Sequence, residues 1–326
     1  MEGREVGSPG AARAARLIAR ELSRIGLTPA GDSTSAPFLQ RVPIARQSIT
    51  LANGETVAGW GLLQSLEARD HVTAPDRPRP PRPPRPSRPS RPRAEAVNVV
   101  GLIPGGDPQL MREAVVVSAH YDHLGIGPPV DGDSIYNGAD DNASGVVAAI
   151  EIARMLAAAR PAPRRTVIFL FTTGEERGLL GSRWYLRHPV TPAARTVANL
   201  NLEMLSRPDS LVGGRGKAWL TGFERSTVGR TLHQAGLAVF PDPRPEYEFF
   251  RRSDNIAFAR RGVPAHSLVS FSLHADYHQP SDEARRADPE HLAAVIATAA
   301  SAVRILADGP APRWTPGDPY ATPARP

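Results

Sequence analysis

Three short runs of the chain are almost continuously apolar: VNVVGLIP (97–104), AVVVSAH (114–120) and TVIFLFTT (166–173). Such runs do not alternate in polarity, so each reads as a strand buried on both faces. Between the last two lies ASGVVAAIEIARMLAAA (143–159), with helical spacing and Asn142 placed to cap it. Further strands are expected at 197–205, 218–223 and 263–271. Helices are expected at 178–187, 224–235, 253–260 and 288–306. Strands alternating with helices predict an α/β fold: a mostly parallel, mixed central sheet with helices on both faces.

Upstream, residues 11–26 carry apolar positions at helical spacing and stop at Gly26, and 37–74 read as short strands and turns. The 326 residues hold 39 Lys and Arg against 33 Asp and Glu, a formal charge of +6. That excess sits in one place. PDRPRPPRPPRPSRPSRPR (75–93) holds seven arginines and one aspartate, and without it 32 basic residues face 32 acidic ones. No basic folded face follows, and no nucleic-acid partner is expected. The segment reads as extended polyproline or a low-complexity loop. The expected organisation is a helix and small strand lobe over 1–74, the Arg/Pro loop over 75–93, a core over 94–308 and a loose Pro-rich tail over 309–326. The apolar share of 41% excludes a disordered chain. No membrane span is expected, because the longest apolar stretch, 292–306, is broken by Ser301 and Arg304. No signal peptide is visible after Met1.

In an open α/β sheet, sites form beyond the carboxyl ends of strands. After 114–119 come His120, Tyr121, Asp122 and His123. Asp140 and Asp141 precede the helix at 143. Glu175 and Glu176 follow the strand at 166, Glu203 sits near the end of the next, and His274, Asp276, His278 and Asp282 follow the last. Cysteine is absent, so thiolate ligands are excluded. Imidazoles and carboxylates suit zinc or a similar divalent ion. Clustered carboxylates repel one another, and two cations sharing a bridging carboxylate relieve that repulsion and suit hydrolysis. Adjacent glutamates can divide the work, one binding metal and one moving a proton.

VSAHYDHLG, YNGADDNASG, FTTGEERGLLGS, ANLNLEM, SDNIAFARRGVPA and DYHQPSDE, in this order, resemble the successive motifs of the co-catalytic di-zinc aminopeptidase family of clan MH. Bacterial leucyl aminopeptidases, glutamate carboxypeptidases and glutaminyl cyclases are its relatives. The resemblance implies a single phosphorylase/hydrolase-like domain and a zinc exopeptidase with two ions per chain, acting on peptides. It implies that His120 binds one ion, Asp140 bridges both, and Glu176 and His278 complete the second. It makes Glu175 the general base, Asp122 the residue that orients His120, and Tyr277 a donor to the oxyanion. It also implies a cis bond between Asp140 and Asp141, and a periplasmic or secreted location.

Two positions depart from the family pattern. Glu203 stands where an aspartate ligand is usual, so its ion would be held by a longer arm. Asn255 stands where histidine is common and is read as structural. His123, His233, His266 and His291 are read as non-ligands, and His274 and Asp276 as surface-loop residues. The alternatives are a glutaminyl cyclase-like acyltransferase with one zinc, a non-catalytic binding relative, or an interaction module built on the Arg/Pro segment.

Overall fold

The structure, a computed structural model, describes residues 2–32, 34–50, 56–62 and 93–321. The Arg/Pro segment lies outside the described residues apart from Arg93. Helix α1 (Pro9–Ile25) opens on Ser8, whose hydroxyl accepts a bond from the Ala11 amide, with Pro9 at the first helical position. It closes on Gly26 in the left-handed conformation, φ 88°.

The strands are β1 (Thr28–Pro29), β2 (Leu39–Thr50), β3 (Thr56–Leu62), β4 (Arg93–Ile103), β5 (Ala114–His120), β6 (Gly125–Val130), β7 (Asp133–Tyr136), β8 (Thr166–Thr172), β9 (Thr196–Glu203), β10 (Ala218–Leu220), β11 (Val239–Pro241) and β12 (Ala265–Val269). The remaining helices are α2 (Gly145–Ala158), α3 (Leu180–Tyr185), α4 (Thr227–Gln234), α5 (Asn255–Ala259) and α6 (Pro289–Asp308). Ten strands form one sheet in the order β11-β10-β12-β9-β5-β8-β4-β2-β3, with β1 paired to β4. Its centre, β12-β9-β5-β8, is parallel throughout. Beyond β8 the sheet turns antiparallel through β4, β2 and β3.

The apolar runs behave as their composition demands. Every residue of β5 and β8 is buried. Val115, Val117, Val167, Phe169 and Phe171 pack towards α1, α2 and α6, whereas Ala114, Val116, Ile168 and Leu170 pack towards α3 and α5. Helices thus cover both faces of a mixed α/β sheet, the expected fold class. By length and composition α6 is apolar enough to cross a membrane. Here its Val295, Ala299, Val303 and Leu306 are buried in that same core.

Three features differ from the sequence reading. The N-terminal strands β2 and β3 are long and extend the main sheet. The hairpin β6–β7 was not anticipated, although Asp131-Gly132, both at positive φ (51° and 85°), carries a turn signal. Residues 310–321, part of a tail expected to be loose, are tied down: Trp314 Nε1 donates to the Gly262 carbonyl (2.9 Å) and Asp318 pairs with Arg225 (3.0 Å).

Because the central strands are parallel, their carboxyl ends meet at one edge. Register sets His120 opposite Thr172 and Glu203 opposite Val269. Loops leaving these four strands therefore converge on a small volume.

Candidate metal centre

His120, the last residue of β5, is buried, and its Nε2 lies 3.1 Å from Glu203 Oε1 and 3.3 Å from Asp141 Oδ1. On the other side, His278 Nε2 lies 3.1 Å from Asp141 Oδ2 and 3.4 Å from Glu176 Oε2. The two oxygens of Asp141 therefore face two different histidine–carboxylate groups. Ligands held about 2.0–2.2 Å from a tetrahedral ion stand roughly 3.3–3.6 Å apart. The observed separations fit that spacing, so the donor set suits two divalent ions sharing Asp141.

This placement corrects one expectation. The carboxylate of Asp140 does not enter the cluster. Its Oδ1 accepts bonds from the Ser206 amide (2.7 Å) and hydroxyl (2.6 Å), and its Oδ2 lies 3.0 Å from His274 Nε2. Successive residues of the loop point to opposite sides, and the side that faces His120 and His278 is that of Asp141. The cis bond likewise falls one residue later, between Asp141 and Asn142. Asp282 fixes this arrangement by accepting bonds from the amides of both Asp140 (3.0 Å) and Asp141 (3.1 Å). Asn142 ties the loop to β9 by donating to the Leu202 carbonyl (2.8 Å) and accepting from the Met204 amide (3.1 Å).

Glu203 reaches the cluster from the very end of β9, where its longer arm is steadied. Ser253 donates to its Oε2 at 2.6 Å and Asn201 at 3.3 Å. Asp122 relates to His120 less directly than expected. Its carbonyl oxygen lies 3.2 Å from His120 Nδ1, its carboxylate 3.8 Å away. The carboxylate instead accepts from the Glu175 amide (3.1 Å), which positions the glutamate loop. Tyr277 stacks on the His278 ring, with centroids 3.9 Å apart.

Three residues set aside by the sequence reading are part of the assembly. His123 is buried, with Nδ1 2.8 Å from Glu176 Oε1 and 3.8 Å from Asp141 Oδ2. The second histidine of HYDH was its only sequence signal. His274 and Asp276 are not surface residues. Both are buried, one beside Asp140 and the other bonded to Arg207 at 2.8 Å. Arg4, far upstream, clamps the loops of the site by donating to the carbonyls of Tyr121, Asn137 and Gly138 at 2.7–2.8 Å. No local motif announces that role.

Charge is shared unevenly among these groups. Burial pushes Glu175 well above the ordinary carboxylate range, raises Glu203, and pushes Asp122 up to about 7. Burial works against Asp141 as well, but His120 and His278 overcome it and hold that carboxyl low. Burial opposes charge on His278, yet Asp141 and Glu176 push it up to about 9. A cleft opens onto the cluster. His120, Asp141, Glu175, Glu176 and Glu203 form one wall, and Trp219, Phe249, Val269 and Leu273 line its apolar part, with Tyr277 and Arg252 also present.

A family model for peptidase family M28 matches residues 98–303, well over half of the chain. The chain belongs to peptidase family M28. This bears out the resemblance read from the motifs and makes the matched region a metallopeptidase domain. Over 178 residues the chain is 32% identical to a probable leucine aminopeptidase 2 of Aspergillus fumigatus, a match covering 53% of this chain and 33% of that one. Over 215 residues it is 26% identical to a vacuolar membrane protease of Botryotinia fuckeliana, covering 65% and 18%. The chain thus spans about a third or less of the length of these curated relatives. A zinc aminopeptidase from Bacillus subtilis shares the M28 chain's fold with a TM-score of 0.59 and 16% identity over 94% of this chain and 91% of that one. Porphyromonas gingivalis glutaminyl cyclase does so with 0.57 and 16%, over 92% of each.

Proposed function

We propose that this M28 domain is a zinc-dependent aminopeptidase with two ions, removing N-terminal residues from peptides. The observation that carries the reading is the Asp141 carboxylate, one oxygen towards His120 and Glu203 and the other towards His278 and Glu176. In this reading His120, Glu203, Asp141, Glu176 and His278 hold the metal. When bound, the zinc pair lowers the pKa of water and polarises the scissile carbonyl.

The chain's own groups do the rest. Glu175 lies on the cleft wall, and its raised proton affinity suits a general base. It takes one proton from the attacking water and gives it to the leaving amine as the C–N bond breaks. Tyr277, with its hydroxyl kept protonated by burial, is placed to donate to the developing oxyanion. Asp122 holds the Glu175 backbone through its amide, so it positions the base. The apolar wall of Trp219, Phe249 and Leu273 takes the side chain of the first residue.

The test compares a peptide with a free amino terminus and its acetylated twin, on protein of measured zinc content. Cleavage of the free peptide alone, with two zincs per chain, supports the reading. Glu175→Gln should lower turnover by roughly 10²–10⁴-fold while zinc content holds. One zinc per chain with cyclisation of N-terminal glutamine would establish the acyltransferase alternative instead.

A further inference from the structure

His123 does not belong to the ligand set that the motifs imply, yet no imidazole in the site is more enclosed. It is fully buried. Its Nε2 has no hydrogen-bond partner among the described residues, so the ring's polar engagement is through Nδ1 alone. That nitrogen points at the same two carboxylates that His278 approaches, 2.8 Å from Glu176 Oε1 and 3.8 Å from Asp141 Oδ2. The His123 and His278 rings meet edge to face, 5.6 Å apart. The ring has no room to turn away. Gly138 runs directly against it, so close that a Cβ there would sit 2.5 Å from the ring, and Gly138 itself holds φ +59°.

The two halves of the centre also differ in what faces them. The shared Asp141, His120 and Glu203 line the cleft, and so does Glu176, whereas the two imidazoles of the other half, His123 and His278, do not. Zinc sites with four protein ligands are closed, and those with three keep a position for water or substrate. Resting on the two-ion reading above, we infer that His123 is a fourth protein ligand, through Nδ1, for the ion held by Asp141, Glu176 and His278. The centre is then asymmetric. One ion has a shell of four protein ligands. The other, held by His120, Asp141 and Glu203, keeps the open coordination position that meets the substrate. The closed ion also binds first and more tightly.

Cadmium-113 titrated into the metal-stripped full chain, with ¹⁵N-labelled histidine imidazoles, counts the ligands directly. The expected result at two equivalents is one-bond coupling to three histidines, with His123 coupled through Nδ1 and His278 through Nε2. At one equivalent the coupling to His123 and His278 should already be present and that to His120 absent. Two bound ions coupled only to His120 and His278 would overturn the inference and leave the two-ion reading intact. A single bound ion that couples to His123 and His278 would keep His123 as a ligand and overturn the two-ion reading. A single ion coupled to neither would overturn both.

A second arm measures zinc affinity by chelator competition in His123→Asn and His123→Gln, with folding checked by circular dichroism. Loss of a ligand should weaken the tight site by more than the ~10–100-fold typical when an outer partner is lost. The His120 side should change by only a few-fold. An unchanged tight-site affinity in a folded variant counts decisively against ligation.

Discussion

The two edges of the parallel sheet handle buried charge in opposite ways. At the amino edge, Arg165 precedes β8 and Glu113 precedes β5, and the two pair at 2.6 Å. The guanidinium also donates to the carbonyl of Gly309 at 2.5 Å and to that of Ala307 at 3.3 Å. Charge there is balanced within the chain. At the carboxyl edge Asp122, Asp141, Glu175, Glu176 and Glu203 crowd around His120, His123 and His278. The carboxylates outnumber the imidazoles, and burial raises the proton affinity of Asp122, Glu175 and Glu203. One edge is built to be stable alone. The other is left with excess buried carboxylates that suit cations, as in a metallopeptidase site.

The sharpest way to break this comparison is to separate the adjacent aspartates. Asp141→Asn removes the one carboxylate among the described residues whose two oxygens face both halves of the centre, so metal content and peptidase activity should both fall to background. Asp140→Asn leaves the centre alone and weakens the bonds from Ser206. It should cost about 1–3 kcal/mol of stability while zinc content stays normal. Metal analysis and thermal melts on the two variants read this out. Equal metal loss in both would mean that the carboxyl edge is not divided as the structure places it.

The contrast also explains what was legible in the sequence. The parallel centre was readable because an inner strand such as AVVVSAH has no polar residue to spare for solvent. The residues following each strand were readable as a site because topology alone brings them together. Which of Asp140 and Asp141 enters the centre was not readable. That depends on Asp282, which fixes both amides from some 140 positions away. His123 is not legible as a ligand in the sequence, because a histidine directly after an aspartate has no distinguishing spacing. Its place beside Glu176 depends on Gly138, where a Cβ would lie 2.5 Å from the ring. The Arg4 clamp has the same character, since its partners lie 117 to 134 residues distant. Strand composition carries the frame, and long-range polar contacts carry the aim of the side chains.

A smaller effect sharpens the comparison through pH. In the metal-stripped protein, the pKa of His278 is raised from 6.5 to about 9. Its stabilisation is complete below about pH 6.5 and is lost as pH rises through 9. Asp122, raised from 3.8 to about 7, costs stability as pH climbs across that interval, because the unfolded chain ionises first. Asp141 and Glu176 are held low, so their contribution is lost only on acidification below the ordinary carboxylate range. The stripped protein should therefore melt at lower temperature at pH 9 than at pH 5. Zinc-loaded protein should show a much flatter profile, because cations replace protons as partners of the carboxylates. Parallel profiles for the two forms would show that the carboxyl edge does not carry the titration.

The smallest effect belongs to the amino edge, and it tests whether the edges are independent. Arg165→Met removes a side chain that is 5% exposed, while Glu113, at 37%, can turn to solvent. The loss is then mainly that of the carbonyls at Ala307 and Gly309, which anchor the end of α6. About 2 kcal/mol of stability should go, visible as a lower denaturation midpoint with an unchanged slope. Zinc content and activity well below the melting temperature should stay at the level of the unmodified protein, because the parallel strands between the edges are rigidly packed. If Arg165→Met instead released zinc, strain would be passing along β5 or β8 from one edge to the other. The amino edge would then be part of the centre's support and not a separate solution to burying charge.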